Sequence, residues 1–242
     1  MAKQRVDALL VARGLCDSRE QAKRLIMAGE VMTGTERITK PSQKLEDDAD
    51  LSVKEKPRYV GRGGLKLEGA LKEFGLNPSG WVCADLGAST GGFTDCLLQH
   101  GAVKVHAIDV GTNQLVWKLR SDERVVSKER FNARHLTVDD LGEQVMLVVM
   151  DLSFISLTKV LPAAFGILAD GGSVVALVKP QFELSREEVG KGGIVRDPER
   201  HQKAVEKIRS FVEDELGREW MGVITSPITG TDGNVEFLAW MR

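Results

Sequence analysis

The chain has 242 residues, of which 42% are hydrophobic and 28% charged, and its formal net charge at pH 7 is −2. This composition predicts a globular protein with one large or two unequal domains, in which any nucleic-acid-binding surface is a local patch. No apolar run approaches the ~18 residues of a membrane-spanning helix, and no signal-peptide pattern is present, so we expect a cytoplasmic protein without membrane contact. The three cysteines lack metal-ligand spacing, and we expect no metal site.

The first 53 residues predict a small α+β domain. Val6, Leu9 and Leu10 recur at helical spacing, and a Ser18-x-x-Gln capping box begins a second helix. Short extended segments follow. Residues 1–44 carry nine basic against five acidic side chains, so this domain can offer phosphates a basic surface, although most charged helix faces are only solvated.

A polar, proline-containing segment at 54–58 predicts a linker, and residues 59–242 form the second domain. In this domain, apolar segments of strand length alternate with helical segments. The alternation predicts an α/β fold with a doubly wound, Rossmann-like, mostly parallel sheet and an antiparallel last strand. The predicted strands are 81–84, 103–108, 125–126, 145–150, 173–178, 221–226 and 234–240, and helices include 93–99, 114–119 and 198–217.

A glycine-rich turn joins the strand at 81–84 to the next helix. Asp85 precedes the turn, and Asp109 ends the following strand, where an acid can bind both ribose hydroxyls of a nucleoside. The turn lacks the GxGxxG spacing of dinucleotide sites and has no lysine, which favours S-adenosylmethionine (SAM), with its cationic amino group, over a phosphate ligand. A Rossmann-type turn with only a packing role is the alternative. The predicted cofactor contacts are Asp85, Gly87, Ala88, Ser89, Thr90, Gly91, Gly92, Phe93, Thr94, Asp109 and Asn132.

Further charged residues follow two long apolar strands. Asp151 and Lys179 come directly after 145–150 and 173–178, so we expect both at the carboxyl edge of the sheet, where ligands bind. Lys66 lies near the start of a helix, and Glu236 lies between apolar neighbours in the last predicted strand. A structural salt bridge is the simpler role for each.

The sequence resembles two known families. The motifs Arg5-Val-Asp-x-Leu-Leu, Ser18-Arg19-x-x-Ala22 and Lys40-Pro41-Ser42 resemble the S4-type RNA-binding module. Five further motifs resemble the TlyA (hemolysin A) family, which joins an S4-type module to an FtsJ-like, SAM-dependent rRNA 2′-O-methyltransferase domain. They are Arg62-Gly63-Gly64-x-Lys66-Leu67, Asp85-x-Gly-Ala-Ser-Thr-Gly-Gly-Phe-Thr-Asp95, Asp151-Leu-Ser-Phe-Ile-Ser, Leu177-Val-Lys179-Pro-Gln-Phe-Glu and Gly233-Asn-Val-Glu236-Phe.

This resemblance implies a catalytic tetrad of Lys66, Asp151, Lys179 and Glu236, with Lys179 as the candidate base. It implies ribosomal RNA or a ribosomal subunit as the partner and a cytidine ribose as the methyl acceptor. The chain resembles the shorter form of the family, which favours 23S over small-subunit RNA. The predicted RNA-binding residues are Arg5, Ser18, Arg19, Lys23, Arg24, Lys40, Arg58 and Arg62.

Three alternatives remain open at the level of sequence. A cytolysin would fit the family's hemolysin label, but the sequence lacks a signal peptide and a long amphipathic helix. An RNA-binding protein with an inert methyltransferase fold would not need the tetrad. A small-molecule methyltransferase would leave the N-terminal domain unexplained.

Overall fold

The computed structural model describes residues 3–54, 57–230 and 232–242 of the chain. These residues form two compact units, Met1–Pro57 and Arg58–Arg242, called here the N-terminal and C-terminal units. The linker predicted at 54–58 includes Glu55 and Lys56, which lie outside the described residues.

The N-terminal unit combines two helices with two small antiparallel sheets. Its elements are β1 Lys3–Arg5, α1 Val6–Ala12, α2 Arg19–Met27, β2 Val31–Thr33, β3 Glu36–Arg37, β4 Lys44–Glu46 and β5 Leu51–Val53. Strand β1 pairs with β4, and the other sheet has the order β3-β2-β5. The hydroxyl oxygen of Ser18 accepts a hydrogen bond from the backbone N–H of Gln21 at 3.2 Å and caps α2, as its sequence position predicts. Val6, Leu10 and Ile26 are buried in the core between these elements.

The C-terminal unit contains a seven-stranded sheet flanked by helices. Its strands are β6 Val82–Leu86, β7 Lys104–Ile108, β8 Val125–Lys128, β9 Val145–Met150, β10 Leu168–Val178, β11 Trp220–Thr225 and β12 Phe237–Met241. The order across the sheet is β11-β12-β10-β9-β6-β7-β8. Strands β6 to β10 run parallel to one another, and β12 is antiparallel to both β10 and β11. The predicted fold class is therefore confirmed.

The first helix of this unit precedes β6, and the others lie between successive strands of the chain. The helices are α3 Gly63–Phe74, α4 Gly92–Gln99, α5 Trp117–Arg120, α6 Val138–Leu141, α7 Leu161–Gly166, α8 Pro180–Glu183 and α9 Pro198–Ser210, which continues as a π-helical turn over Phe211–Glu215. No helix in the described ranges is both long enough and apolar enough to span a membrane.

Both faces of the large sheet are covered. Along β9, Val148 and Met150 belong to one buried apolar cluster, whereas Leu147 and Val149 belong to another. Successive side chains of a strand point to opposite faces, so the two clusters lie on opposite sides of the sheet. Because both faces of β9 are buried, its sequence is apolar throughout and does not alternate between apolar and polar residues.

Several predicted boundaries were wrong. Strand β12 begins at Phe237, so Glu236 precedes the strand and does not lie within it. The helix predicted at 114–119 is only α5, Trp117–Arg120, and β10 begins five residues earlier than expected, at Leu168. The sequence did not indicate β1, because three exposed residues carry no alternating pattern.

Candidate active site

Four charged or glycine positions follow the carboxyl ends of neighbouring strands. Gly87 follows β6, Asp109 follows β7, Asp151 follows β9, and Lys179 follows β10. These four strands are adjacent and parallel in the order β10-β9-β6-β7, so the positions meet at one edge of the sheet. This edge is where α/β sheets bind ligands.

The glycine turn after β6 depends on left-handed backbone conformations. The φ angles of Gly87, Ser89 and Gly91 are 87°, 48° and 99°. A Cβ atom added at Gly87 would lie 2.6 Å from the backbone oxygen of Asp151, so the turn packs directly against the loop that follows β9. Gly91 is the N-cap of α4, whose first N–H groups therefore point toward the turn.

Asp109 organises the neighbouring part of the edge. Its carboxylate accepts hydrogen bonds from the backbone N–H of Ser89 at 2.8 Å and of Gly111 at 2.7 Å. It lines a cavity of about 470 Å³ that also contains Phe131 and Asn132. Apolar walls with a few polar groups at one end suit a nucleoside.

Asp85 lies beneath the glycine turn and is fully buried. Its Oδ2 accepts a hydrogen bond from the hydroxyl of Thr94 at 2.7 Å, whereas its Oδ1 has no partner within the described ranges. Burial raises the pKa of Asp85 to about 7. Three of the predicted cofactor contacts, Asp85, Gly91 and Thr94, are not among the described residues that line either cavity at this edge.

A second cavity, of about 280 Å³, brings the four tetrad candidates together. Lys66 Nζ lies 2.5 Å from Glu236 Oε2, and Lys179 Nζ lies 2.6 Å from Asp151 Oδ1. Both lysines are 8% exposed, and Glu236 is 3% exposed. Three of the four side chains are thus largely desolvated, whereas the Asp151 side chain is 24% exposed. A buried charge needs a partner, and each lysine has one. Ala88, Thr90, Gly92 and Phe93 of the predicted cofactor set line the same cavity.

Close packing between two helix starts places Lys66 in this cavity. A Cβ atom added at Gly92, the first residue of α4, would lie 3.0 Å from the backbone nitrogen of Gly64 in α3. A Cβ atom at Gly63 would lie 3.3 Å from the Phe93 ring. The glycines of the Arg62-Gly-Gly motif therefore allow α3 to approach α4, and Lys66 lies one turn further along α3.

Several residues of this edge were not predicted as site residues from the sequence. Lys179 Nζ also donates a hydrogen bond to Ser153 Oγ at 3.0 Å. Phe154 is 92% exposed, has a φ angle of 63°, and contacts the Phe182 ring with centroids 5.2 Å apart. The position of Ser153, two residues after Asp151 in an irregular loop, was a signal that could have identified it.

The predicted RNA-binding residues have different surroundings. In the N-terminal unit, Arg5 and Arg19 both pair with the buried Asp7, at 2.9 and 3.1 Å, and the hydrogen bond from Arg5 is the main reason that the pKa of Asp7 falls to about 2. Lys23, Arg24 and Lys40 are exposed.

Two more candidates belong to the C-terminal unit. Arg58 pairs with Glu68, and Arg62 donates a hydrogen bond to the backbone oxygen of Thr229 at 3.1 Å. Both arginines are exposed. Across the described ranges, no group of three or more His, Cys, Asp or Glu side chains is placed to hold a metal ion.

Comparisons with known proteins agree with this architecture. The family model described as FtsJ-like methyltransferase matches residues 59–242, and the model described as S4 domain matches residues 4–51. A solved structure named "Putative hemolysin from Streptococcus thermophilus" is 52% identical and has a TM-score of 0.74, and the match covers 100% of this chain and 88% of that one. A SAM-dependent methyltransferase from Mesorhizobium loti, at 16% identity and a TM-score of 0.51, shares the fold over 75% of this chain and 100% of its own.

Two relatives extend the match over nearly the whole chain. The 16S/23S rRNA (cytidine-2'-O)-methyltransferase TlyA of Mycobacterium tuberculosis is 48% identical, with 99% of this chain and 90% of the relative covered. Hemolysin A of Brachyspira hyodysenteriae is 44% identical, and the match covers 97% of this chain and 98% of that relative. The chain therefore belongs to the FtsJ-like methyltransferases, in the group that carries an S4 domain and includes TlyA and hemolysin A.

Proposed function

We propose that this enzyme transfers a methyl group from SAM to the 2′-hydroxyl of a cytidine ribose in ribosomal RNA. The observation that carries the proposal is the pair of lysine–carboxylate contacts, Lys66–Glu236 and Lys179–Asp151, which place two buried lysines in a cavity beside the glycine turn. The names of the TlyA relatives specify the nucleoside and the RNA.

The residues at the sheet edge suit SAM. Both cavities include Gly87, Ser89, Asp151 and Ser153, so an elongated ligand can extend from one to the other. The larger cavity would hold the adenosine, with Asp109 near the ribose hydroxyls and Phe131 beside the base. A Cβ atom at Gly87 would clash with the backbone oxygen of Asp151, so only glycine fits at this point of the turn. The proposed ligand passes beside it. SAM, when bound, supplies a methyl group already activated on a sulfonium.

In the proposed reaction, Lys179 accepts the proton of the ribose 2′-hydroxyl as that oxygen becomes the nucleophile. The ammonium formed by this proton transfer is stabilised by Asp151, whose Oδ1 lies 2.6 Å from Nζ. Ser153 Oγ, at 3.0 Å from Nζ, fixes the direction of the lysine side chain. Holding the acceptor oxygen and the base in one geometry supplies much of the rate enhancement.

Lys66 and Glu236 would hold the ribose. Their contact keeps each charge compensated in a buried position, and both side chains line the cavity. Glu236 is itself fixed by its backbone, because its carbonyl oxygen accepts a hydrogen bond from Ser226 N–H at 2.8 Å. A carboxylate and an ammonium placed in this way can hydrogen-bond the neighbouring hydroxyl groups of one nucleotide.

We propose large-subunit 23S rRNA as the substrate, bound in part by the S4 domain. The Mycobacterium relative is named for 16S and 23S rRNA, and a Campylobacter jejuni relative, 36% identical over 74% of this chain and 69% of its own length, is named for 23S rRNA alone. The large-subunit RNA is thus common to both names. Such a substrate also places the enzyme in the cytoplasm.

A cytolysin is the second candidate, because Hemolysin A is the name of one relative. The two ion pairs of the cavity favour the methyltransferase, since a membrane-disrupting activity has no need of them. Dye leakage from liposomes or erythrocytes distinguishes the two activities.

The test of the proposed function is transfer of labelled methyl from SAM to unmodified small and large ribosomal subunits. We expect label on the large subunit, loss of turnover in Lys179→Ala, and SAM affinity within about fivefold of the unmodified enzyme, since a base touches the acceptor and not the cofactor. Absence of label on both subunits, with SAM still bound, would contradict an rRNA substrate.

A further inference from the structure

Two segments carry half of the tetrad, Asp151 and Lys179. We call residues 151–157, after β9, the aspartate loop, and residues 179–183, after β10 and including the short helix α8, the lysine loop. Near the cavity they are joined by the Lys179–Asp151 contact and by the hydrogen bond from Lys179 to Ser153. Residues 151–156 contain no regular helix or strand, so local backbone hydrogen bonds do not fix this part of the loop.

A buried carboxylate joins the far ends of the same loops. Glu183, which is 4% exposed, accepts hydrogen bonds from Ser156 Oγ to Oε2 at 2.5 Å and from the backbone N–H of Leu157 to Oε1 at 2.8 Å. Lys207 of α9 donates to the backbone oxygen of Glu183 at 2.5 Å, and its Nζ lies 3.6 Å from Oε2. Burying a carboxylate is unfavourable unless it is paired and hydrogen-bonded, and these contacts compensate this one.

We propose that Glu183 is a positioning residue, which fixes the aspartate loop against the lysine loop and so sets the contact between Lys179 and Asp151. The inference rests on the proposed role of that pair in methyl transfer. Glu183 is suited to this role because its two oxygens bind two successive residues at the end of the aspartate loop. Since Ser156 and Leu157 are held, the irregular segment between Asp151 and Ser156 has a fixed anchor at each end.

The kinetic experiment compares Glu183→Ala with Glu183→Gln. Alanine removes both acceptor oxygens, and we expect kcat to fall about 10- to 100-fold, as for a misplaced catalytic group, with KM for SAM and for the large subunit within about twofold. Glutamine keeps one oxygen for the Leu157 N–H and an amide near Ser156, so its kcat should stay within about threefold of the unmodified enzyme.

Glu143→Ala is the matched control. Glu143 also joins separate elements, because its Oε1 accepts a hydrogen bond from Lys104 Nζ at 2.7 Å and lies 3.1 Å from His106 Nε2. It precedes β9, however, and therefore lies at the end of the strands opposite to the cavity. We expect it to lower stability without changing kcat. Ser156→Ala removes only one donor to Glu183 and should lower kcat in the same direction, by about threefold. It replaces Glu183→Ala if that variant does not fold.

A structural measurement makes the inference independent of turnover. In crystal structures of the variants, we expect the distance from Lys179 Nζ to Asp151 Oδ1 to exceed about 4 Å in Glu183→Ala and to remain an ion-pair contact in Glu183→Gln. An unchanged distance in Glu183→Ala, or a loss of kcat equal to that of Glu143→Ala, would overturn the inference. If the unmodified enzyme labels no ribosomal particle, the proposed function fails, and the distance still decides the role of Glu183.

Discussion

The carboxyl group of Asp85 shows how burial changes the chemistry of a residue. Its side chain lies beneath the glycine turn with one hydrogen bond, from Thr94, and burial raises its pKa to about 7. An aspartate in an unfolded chain has a pKa of about 3.9. Between these values the folded protein holds a proton that the unfolded chain has released. The free energy of unfolding therefore falls as the pH rises from about 4 to about 7, because the unfolded chain is favoured by losing this proton.

Asp85→Asn should consequently increase the free energy of unfolding relative to the unmodified protein, and the increase should be larger at pH 8 than at pH 4. The variant removes a penalty of up to roughly 4 kcal/mol, for a pKa difference of about 3 units, and keeps an acceptor oxygen for Thr94. Urea unfolding at a series of pH values measures the difference between the two proteins. Asp139→Asn, at an exposed site, is the control and should show no such difference. A constant difference across the pH range would show that folding does not raise the pKa of Asp85.

At the scale of elements, the glycine turn couples β6, α4 and the aspartate loop. Gly87 has a φ angle of 87° and no room for a Cβ atom beside the backbone of Asp151. Gly75, the C-cap of α3, has a similar φ angle of 65°, but a Cβ atom there would meet nothing within 4 Å. The two glycines therefore separate the effect of backbone conformation from the effect of close packing.

We expect Gly75→Ala to cost about 1 kcal/mol of unfolding free energy through its left-handed backbone alone and to leave SAM affinity unchanged. Gly87→Ala adds a clash with the backbone of Asp151, so it should cost about 3 kcal/mol and weaken SAM binding at least about tenfold. Denaturant unfolding and calorimetric SAM titration measure both quantities. Equal effects of the two substitutions would show that the packing against Asp151 is dispensable.

At the scale of the whole molecule, the net charge is −2, so attraction to RNA depends on the arrangement of local cations. Arg5 and Arg19 share the buried Asp7, which already compensates part of their charge. Arg24, on the exposed side of α2, makes no ion pair within residues 3–54 and lines a groove of the N-terminal unit. Arg24 is therefore better placed than Arg5 or Arg19 to neutralise a phosphate.

Arg24→Ala should weaken binding to large-subunit RNA and flatten the dependence of log K on log salt by about 0.7 to 0.9, the loss of one phosphate contact. Fluorescence anisotropy at several salt concentrations measures this slope. Arg209→Ala, which removes an arginine paired with Glu213 on the C-terminal unit, is the matched control and should leave the slope unchanged. Equal slopes for Arg24→Ala and the unmodified protein would exclude this phosphate contact.

Local sequence patterns were enough to predict the fold class and the edge of the sheet where the candidate site lies. Apolar runs of strand length alternating with helices dictate a doubly wound sheet, and residues directly after those runs must lie at its carboxyl edge. Asp109, Asp151 and Lys179 were placed correctly at this edge for that reason. Glycines in the turn were equally informative, because only glycine adopts such backbone angles without strain.

Which charges meet depends on how distant parts of the chain pack together. Lys66 and Glu236 are separated by 170 residues, and their contact depends on how α3 packs against α4 and on where β12 begins. Glu183 likewise has no local signal, since its partners Ser156 and Leu157 belong to another strand's loop. Local patterns specify elements through backbone geometry, whereas side-chain pairing across the sheet edge depends on distances that only the packed molecule sets.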